Sequence, residues 1–260
     1  MFDVRELFKF ALIPDFNYKL ETLARLAEGE DWEYHNTVIE YPKPILYNYI
    51  HYTFERIKEE NKICITPDKK FACFNTGLVT DLQEPIYVLF EENLFDDAKN
   101  QWHFKDFYRR GEHDLSCFSV LPEMAHYYDD PSYLVLDARL EIRSNIEHIL
   151  SDNKNRFPEP YKSMSDFALQ NLLKGAIDSA RERVARNYKV AIPQYYKGKV
   201  QLLLPLCLSD PRKADLAIVV ARYDQQSEDG AKKESFYRAS TCLTLDMAYN
   251  NARQLARPDR

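Results

Sequence analysis

Strand-like apolar runs follow one another along this chain without a helix between successive pairs, and that order constrains its fold more than any single motif. In the first half such runs cover Ile63 to Thr66, Phe71 to Asn75, Ile86 to Phe90, Gln101 to Tyr108 and Tyr133 to Ile142. In the second half they cover Val200 to Leu208, Leu216 to Arg222 and Phe236 to Leu245. A doubly wound parallel sheet needs a crossover helix after each strand, and that alternation is missing. Helical patterns stand at the beginning, middle and end instead. Leu20, Leu23, Leu26 and Ala27 give a stripe over residues 18–28 that stops at Gly29. Pro44 starts a second helix, whose Leu46, Tyr49, Ile50, Thr53, Phe54 and Ile57 share a face. The strongest helix runs from Ser165 to Arg186 on Leu169, Leu173, Ile177, Ala180 and Val184, and a last one covers Asp246 to Ala256. The expected fold is therefore α+β: a single domain over residues 1–260, with a central, mainly antiparallel sheet flanked by helices.

Two polar stretches interrupt this pattern. Ser151 to Pro160 divides the chain near its middle and marks a secondary division there; Asp224 to Glu234, flanked by strand-like runs, is expected to be a long hairpin connection. Pro67-Asp68-Lys69-Lys70 joins the first two strands as a hairpin.

The 5 cysteines lie at 64, 73, 117, 207 and 242, with no CxxC pair. They are expected to be reduced, buried thiols of a cytoplasmic protein, not a disulfide frame or zinc site. Met1-Phe2-Asp3-Val4-Arg5-Glu6 carries acids where a signal peptide has its basic region, and no run reaches the roughly 18 apolar residues of a membrane span. With 41 acidic against 35 basic side chains the net charge is -6, which argues against a broad DNA-coating surface but allows a local basic pocket.

Five stretches carry candidate chemistry. Asn75-Thr76-Gly77 closes the Phe71 to Asn75 run with residues that tolerate positive φ; it is either an ordinary strand-ending turn or a nest of N–H groups for a phosphate, with the Thr76 hydroxyl as a further donor. In a strand over 133–142, Asp137, Arg139 and Glu141 stand in a row on one face. That row is either a solvent-facing charge ladder or a pocket floor, with Arg139 on a phosphate and a carboxylate as base or divalent-metal ligand. Beyond it, Asn145 and His148 share a helical face, and His148 is the histidine best suited to proton transfer, unless it is merely an exposed helix residue. In "WHFKDFYRRGEHD", Arg109 and Arg110 put the densest local positive charge beside aromatics, with His103 and His113 near, as suits a nucleotide or a twisted edge strand. Finally, Asp246, Asn250 and Arg253 share the polar face of the last helix, where they line a ligand site or, with Thr244, serve to cap it. Walker A, GxGxxG, GxSxG, HExxH and Cys/His zinc patterns are absent.

Taken in order, "FNTGL", "LDARLEIRSNIEHIL", "LLLPLCLSDPRKADLAIVVAR" and "YRASTCLTLDMAYNNARQL" resemble a family catalogued as a bacterial domain of unknown function, number 3825. The resemblance covers almost the whole chain and implies RNA-associated settings, in which members stand beside cold-shock-like or LOTUS-type RNA-binding modules; this chain carries neither. The expected function is phosphoester processing on nucleotides or RNA, with Asp137, Glu141 and His148 in proton transfer or metal binding. Asn75, Thr76, Gly77, Arg109, Arg110, Arg139, Asn145, Asp246, Asn250 and Arg253 would bind phosphate or nucleotide. The alternatives are a non-catalytic RNA- or nucleotide-binding module and a protein-interaction scaffold.

Overall fold

A computed structural model describes residues 5–95, 99–226 and 233–257. The chain forms two compact units, residues 1–126 and 127–260. The α+β class holds, and the strands are divided between two five-stranded sheets, each mostly antiparallel.

The first unit contains α1 (Glu6–Phe10), β1 (Ala11–Leu12), α2 (Phe16–Leu26), α3 (Pro44–Glu59), β2 (Cys64–Ile65), β3 (Phe71–Val79), β4 (Pro85–Glu92) and β5 (Trp102–Arg109). Its sheet runs in the order β1-β5-β4-β3-β2, with only β1 parallel to its neighbour. Pro44 opens α3 at its first turn, and Leu46, Tyr49, Ile50, Thr53, Phe54 and Ile57 are all buried, as their spacing requires. This helix packs on β3. Aromatic rings fill the layer between them: Phe54 meets Phe74 edge-on at 5.2 Å, and Phe74 stacks on Phe90 at 6.0 Å. Alternation along the strands sends Cys73, Tyr87 and Leu89 to the opposite face, where Leu115, Phe118 and Leu121 pack on them. Both faces of the sheet are therefore covered, which explains its unbroken apolar runs.

The second unit contains β6 (Ile142–Ser144), α4 (Ile146–Asn153), α5 (Asp166–Arg186), β7 (Ile192–Tyr196), β8 (Lys199–Leu206), β9 (Leu216–Gln226), β10 (Lys233–Leu243) and α6 (Leu245–Ala252). Its sheet order is β6-β10-β9-β8-β7, with β6 parallel to β10. Ser165 caps α5 by accepting from the Ala168 N–H at 3.3 Å. The α5 stripe of Leu169, Leu173, Ile177, Ala180 and Val184 faces Leu202, Leu204, Leu206, Ile218 and Val220. The other face of the sheet, with Leu203, Ala217 and Val219, receives Ala248 and Ala252 of α6.

Two expectations need correction. Residues 133–142 are not a strand: a 3-10 turn covers Pro131–Leu134, and pairing begins only at Ile142. Asp137 breaks the strand because its carboxylate accepts from the Arg139 N–H at 3.0 Å, while its carbonyl accepts from Leu140 N–H at 3.0 Å, closing a turn. Nor do residues 151–160 form a division, since they lie inside the second unit. Asn153 Oδ1 accepts from Thr241 Oγ1 at 2.6 Å and Cys242 N–H at 2.7 Å, Arg156 donates to the Cys242 carbonyl at 2.7 Å, and Phe157 is buried. The polar residues there anchor the segment to β10. Of the hairpin connection 224–234, residues 227–232 lie outside the described residues, and β9 and β10 pair antiparallel on either side.

Candidate functional site

The strand expected to end at Asn75 continues to Val79 through a bulge, because Asn75 pairs with Tyr87 but Val79 pairs with Pro85. Asn75, Thr76 and Gly77 absorb the two extra residues. Gly77 supplies the positive φ of 73°, and a Cβ there would stand 2.7 Å from the Tyr49 hydroxyl. The polar atoms of the bulge bond one another and the neighbouring strands. Gly77 N–H donates to Asn75 Oδ1 at 2.9 Å, Leu78 N–H to Thr76 Oγ1 at 3.1 Å, and the Thr76 hydroxyl to the Ile86 carbonyl at 2.7 Å. The Tyr49 hydroxyl donates to the Thr76 carbonyl at 3.0 Å. The donors that a phosphate nest requires are thus spent inside the fold, and the side chain of Thr76 is fully buried.

Of the three, Asn75 lines a groove. Cross-strand from it stands Tyr87, and both line this groove, of 1210 Å³, on the sheet face opposite α3. The far wall is built just after β5. Gly111, at φ 90°, turns the chain, a 3-10 segment over His113–Cys117 buries Leu115, and residues 118–126 then cross the sheet in irregular conformation. The end of α3 pins this crossing: Lys62 donates to the Met124 carbonyl at 3.0 Å, Arg56 to the His126 carbonyl at 2.8 Å, and Glu60 accepts from His126 N–H at 3.0 Å. Asn75 donates to the Pro122 carbonyl at 3.4 Å.

The two arginines of "YRRGEHD" behave differently. Arg109 is held by Glu112, with contacts of 3.1 Å and 2.7 Å to one carboxylate oxygen, which raises its pKa further. Arg110 is exposed, lines the groove, and makes no ion pair among the described residues. Its charge acts on the Tyr87 phenol, countering the larger effect of burial, which pushes that pKa up. His113, His126 and Phe118 complete the parts of the lining that can do chemistry or stack. His113 stood in a stretch singled out by its charge; Tyr87, Phe118, Lys62 and His126 had no distinguishing pattern.

In the second unit, the proposed proton-transfer residues are each tied to a near neighbour. Asp137 takes Arg139 in a bidentate pair at 2.8 Å and 2.8 Å, and this guanidinium holds its carboxyl at about 2. Arg139 is 89% exposed, so the pair is a surface clasp of small energetic weight. Glu141 accepts from Arg143 at 2.8 Å, and Arg143 also reaches Glu234 and covers the Phe236 ring. His148, 58% exposed, lies 3.5 Å from Asp152. None of the three bonds to another. Asn145 caps α4 by accepting from His148 N–H at 3.2 Å, which accounts for their shared face. On α6, Thr244 is the cap, Asp246 and Asn250 are buried, and Arg253 follows the final turn.

Among the described residues, no three His, Cys, Asp or Glu side chains gather as a group that could hold a metal. The five cysteines are free thiols, and burial pushes Cys242 up to about 12. No described helix is long and apolar enough to cross a membrane.

A family model described as "Domain of unknown function (DUF3825)" matches residues 23–260. No curated protein and no solved structure matches the chain.

Proposed function

The chain belongs to the DUF3825 family, and for it we propose a nucleotide- or RNA-binding function seated in the groove of the first unit. The observation that carries this reading is Arg110, an exposed cation without a carboxylate partner among the described residues, at the edge of a 1210 Å³ groove lined also by the half-buried Phe118. A guanidinium offers a phosphate two parallel donors, and aromatic rings offer a base a stacking surface. Asn75 adds an amide on the floor of the groove. The RNA-associated settings that the resemblance implies agree with this role.

Titration of fluorescein-labelled single-stranded RNA oligomers and of nucleotides tests it. Arg110→Gln should weaken binding by roughly tenfold, the loss expected for one charge-assisted bidentate contact. Its stability should not change, because the side chain is exposed and unpaired. Equal affinity of the wild type and Arg110→Gln would refute the assignment.

Phosphoester processing is the second reading, favoured by His113 and His126 in the same groove, whose imidazoles have the chemistry of general acids and bases. Incubation of end-labelled RNA with and without divalent metal separates the two: product formation lost in His113→Gln supports processing, and intact RNA supports binding alone.

A further inference from the structure

The second unit contains a cavity whose lining includes none of the candidate site residues discussed above. Its volume is 480 Å³, within the roughly 300–1,000 Å³ usual for small-molecule sites. The connection from α5 to β7 forms one side, with Tyr188, Lys189 and Val190, and the end of β8 forms another, with Pro205 and Cys207.

Its charge is one-sided. The charged lining residues are Arg183, Lys189, Arg212 and Arg257, with no carboxylate among them. Arg212 is occupied by Asp210, at 3.2 Å to each oxygen, and Arg257 has interactions of its own. Arg183, half-buried on the last turn of α5, and Lys189 have no ion-pair partner among the described residues. Arg183 and Lys189 thus meet at a cavity with no carboxylate in its lining, and a bound anion would offset their mutual repulsion. The rest of the wall is apolar, including Ile192 and Pro193, and Tyr188 is 60% exposed beside it.

We propose that this cavity binds a phosphate monoester of mononucleotide size, with Arg183 and Lys189 on the phosphate and the apolar wall against the organic group. Arg183 supplies a planar pair of donors and Lys189 a compact charge, the two modes by which proteins hold phosphate. Ile192 and Pro193 exclude water from the organic part, and the Tyr188 ring offers a base one stacking face. This site is independent of the groove in the first unit.

The full chain should be titrated by calorimetry at fixed ionic strength with AMP, ribose 5-phosphate, inorganic phosphate and adenosine. AMP is expected to bind saturably and more tightly than inorganic phosphate or adenosine. Arg183→Gln and Lys189→Gln should each weaken AMP by about tenfold. Lys189 is exposed, so its variant keeps the fold and carries the test if Arg183→Gln does not. Two results would overturn the proposal: no saturable AMP binding, or unchanged AMP affinity in Lys189→Gln. Inorganic phosphate binding as tightly as AMP would overturn the role given to the apolar wall. RNA binding lost in Arg110→Gln but retained in Lys189→Gln would show the two sites to be separate.

Discussion

Gly77 should be the least replaceable residue of the β3 bulge, and the cost of replacing it follows from two distinct causes. At φ 73° an alanine enters the left-handed region, which costs roughly 1–2 kcal/mol for a residue with a Cβ. That Cβ would also stand 2.7 Å from the Tyr49 hydroxyl, closer than side chains approach. The phenol must move, and its 3.0 Å hydrogen bond to the Thr76 carbonyl is then lost. Such a bond contributes about 1 kcal/mol, so Gly77→Ala should destabilise by about 2–3 kcal/mol in all.

The two causes are separable by a double-mutant cycle in urea, followed by circular dichroism. Tyr49→Phe removes the hydroxyl and its bond, and should cost about 1 kcal/mol on its own. In the double variant the clash is relieved and the bond is already absent, so only the backbone penalty is added. Its cost should therefore equal that of Gly77→Ala, leaving a coupling of about 1 kcal/mol between the sites. Additive costs would show that Tyr49 does not restrict Gly77. A Gly77→Ala cost below about 0.5 kcal/mol would refute the left-handed assignment itself.

Two further changes probe buried polar groups. Asn153→Ala should destabilise by about 1–3 kcal/mol in the same assay, because Cys242 N–H loses its 2.7 Å acceptor in a buried position; a neutral result would mean that water replaces the amide. His51 is fully buried among Phe8, Phe16 and Tyr47, with ring centroids at 4.8, 5.3 and 4.6 Å, and neither ring nitrogen has a hydrogen-bond partner among the described residues. Burial, with the Arg5 charge, lowers its pKa to about 3. The unfolded chain then binds the proton first, so stability is complete above the unfolded value of about 6.5 and falls with acid down to the folded one. His51→Phe should remove up to about 1.4 kcal/mol per pH unit of that acid sensitivity, read as a flatter midpoint between pH 6.5 and 4; an unchanged slope would place the titration elsewhere.

Helices were legible wherever a stripe met a start signal, as at Pro44 and Ser165, because periodicity and capping are local properties. Strand assignments failed where local chemistry competes with period. Asp137, Arg139 and Glu141 alternate perfectly with Ala138, Leu140 and Ile142, yet the Asp137 carboxylate bonds to backbone two residues on and turns the chain. The short strand β7, Ile192–Tyr196, was missed for the opposite reason: Pro193 and the following turn at Lys197-Gly198 mask a run that pairs with β8. Ser151 to Pro160 has the composition of a linker, and nothing local announces that Asn153 and Arg156 reach β10 some 85 residues later.

For the candidate sites the difficulty is one of partners, not of residue types. The sequence shows that Gly77 can take positive φ, which it does, but not that the bulge's own side chains will consume its N–H groups. Arg109 and Arg110 are adjacent and equally basic, and the end of β5 separates them: Arg109, its last residue, meets Glu112 across the Gly111 turn, while Arg110, already in the turn, makes no ion pair among the described residues. Arg183 and Arg186, one turn apart on α5, differ in the same way, since Arg186 bonds Glu182 at 3.1 Å while Arg183 borders the cationic cavity. A ligand anion competes with internal carboxylates for each guanidinium, and displacing an internal partner subtracts from affinity. The cations left uncommitted by the fold, Arg110 in one unit and Arg183 with Lys189 in the other, are therefore where binding should be sought, ahead of the denser but self-neutralised Asp137 to Arg143 stretch.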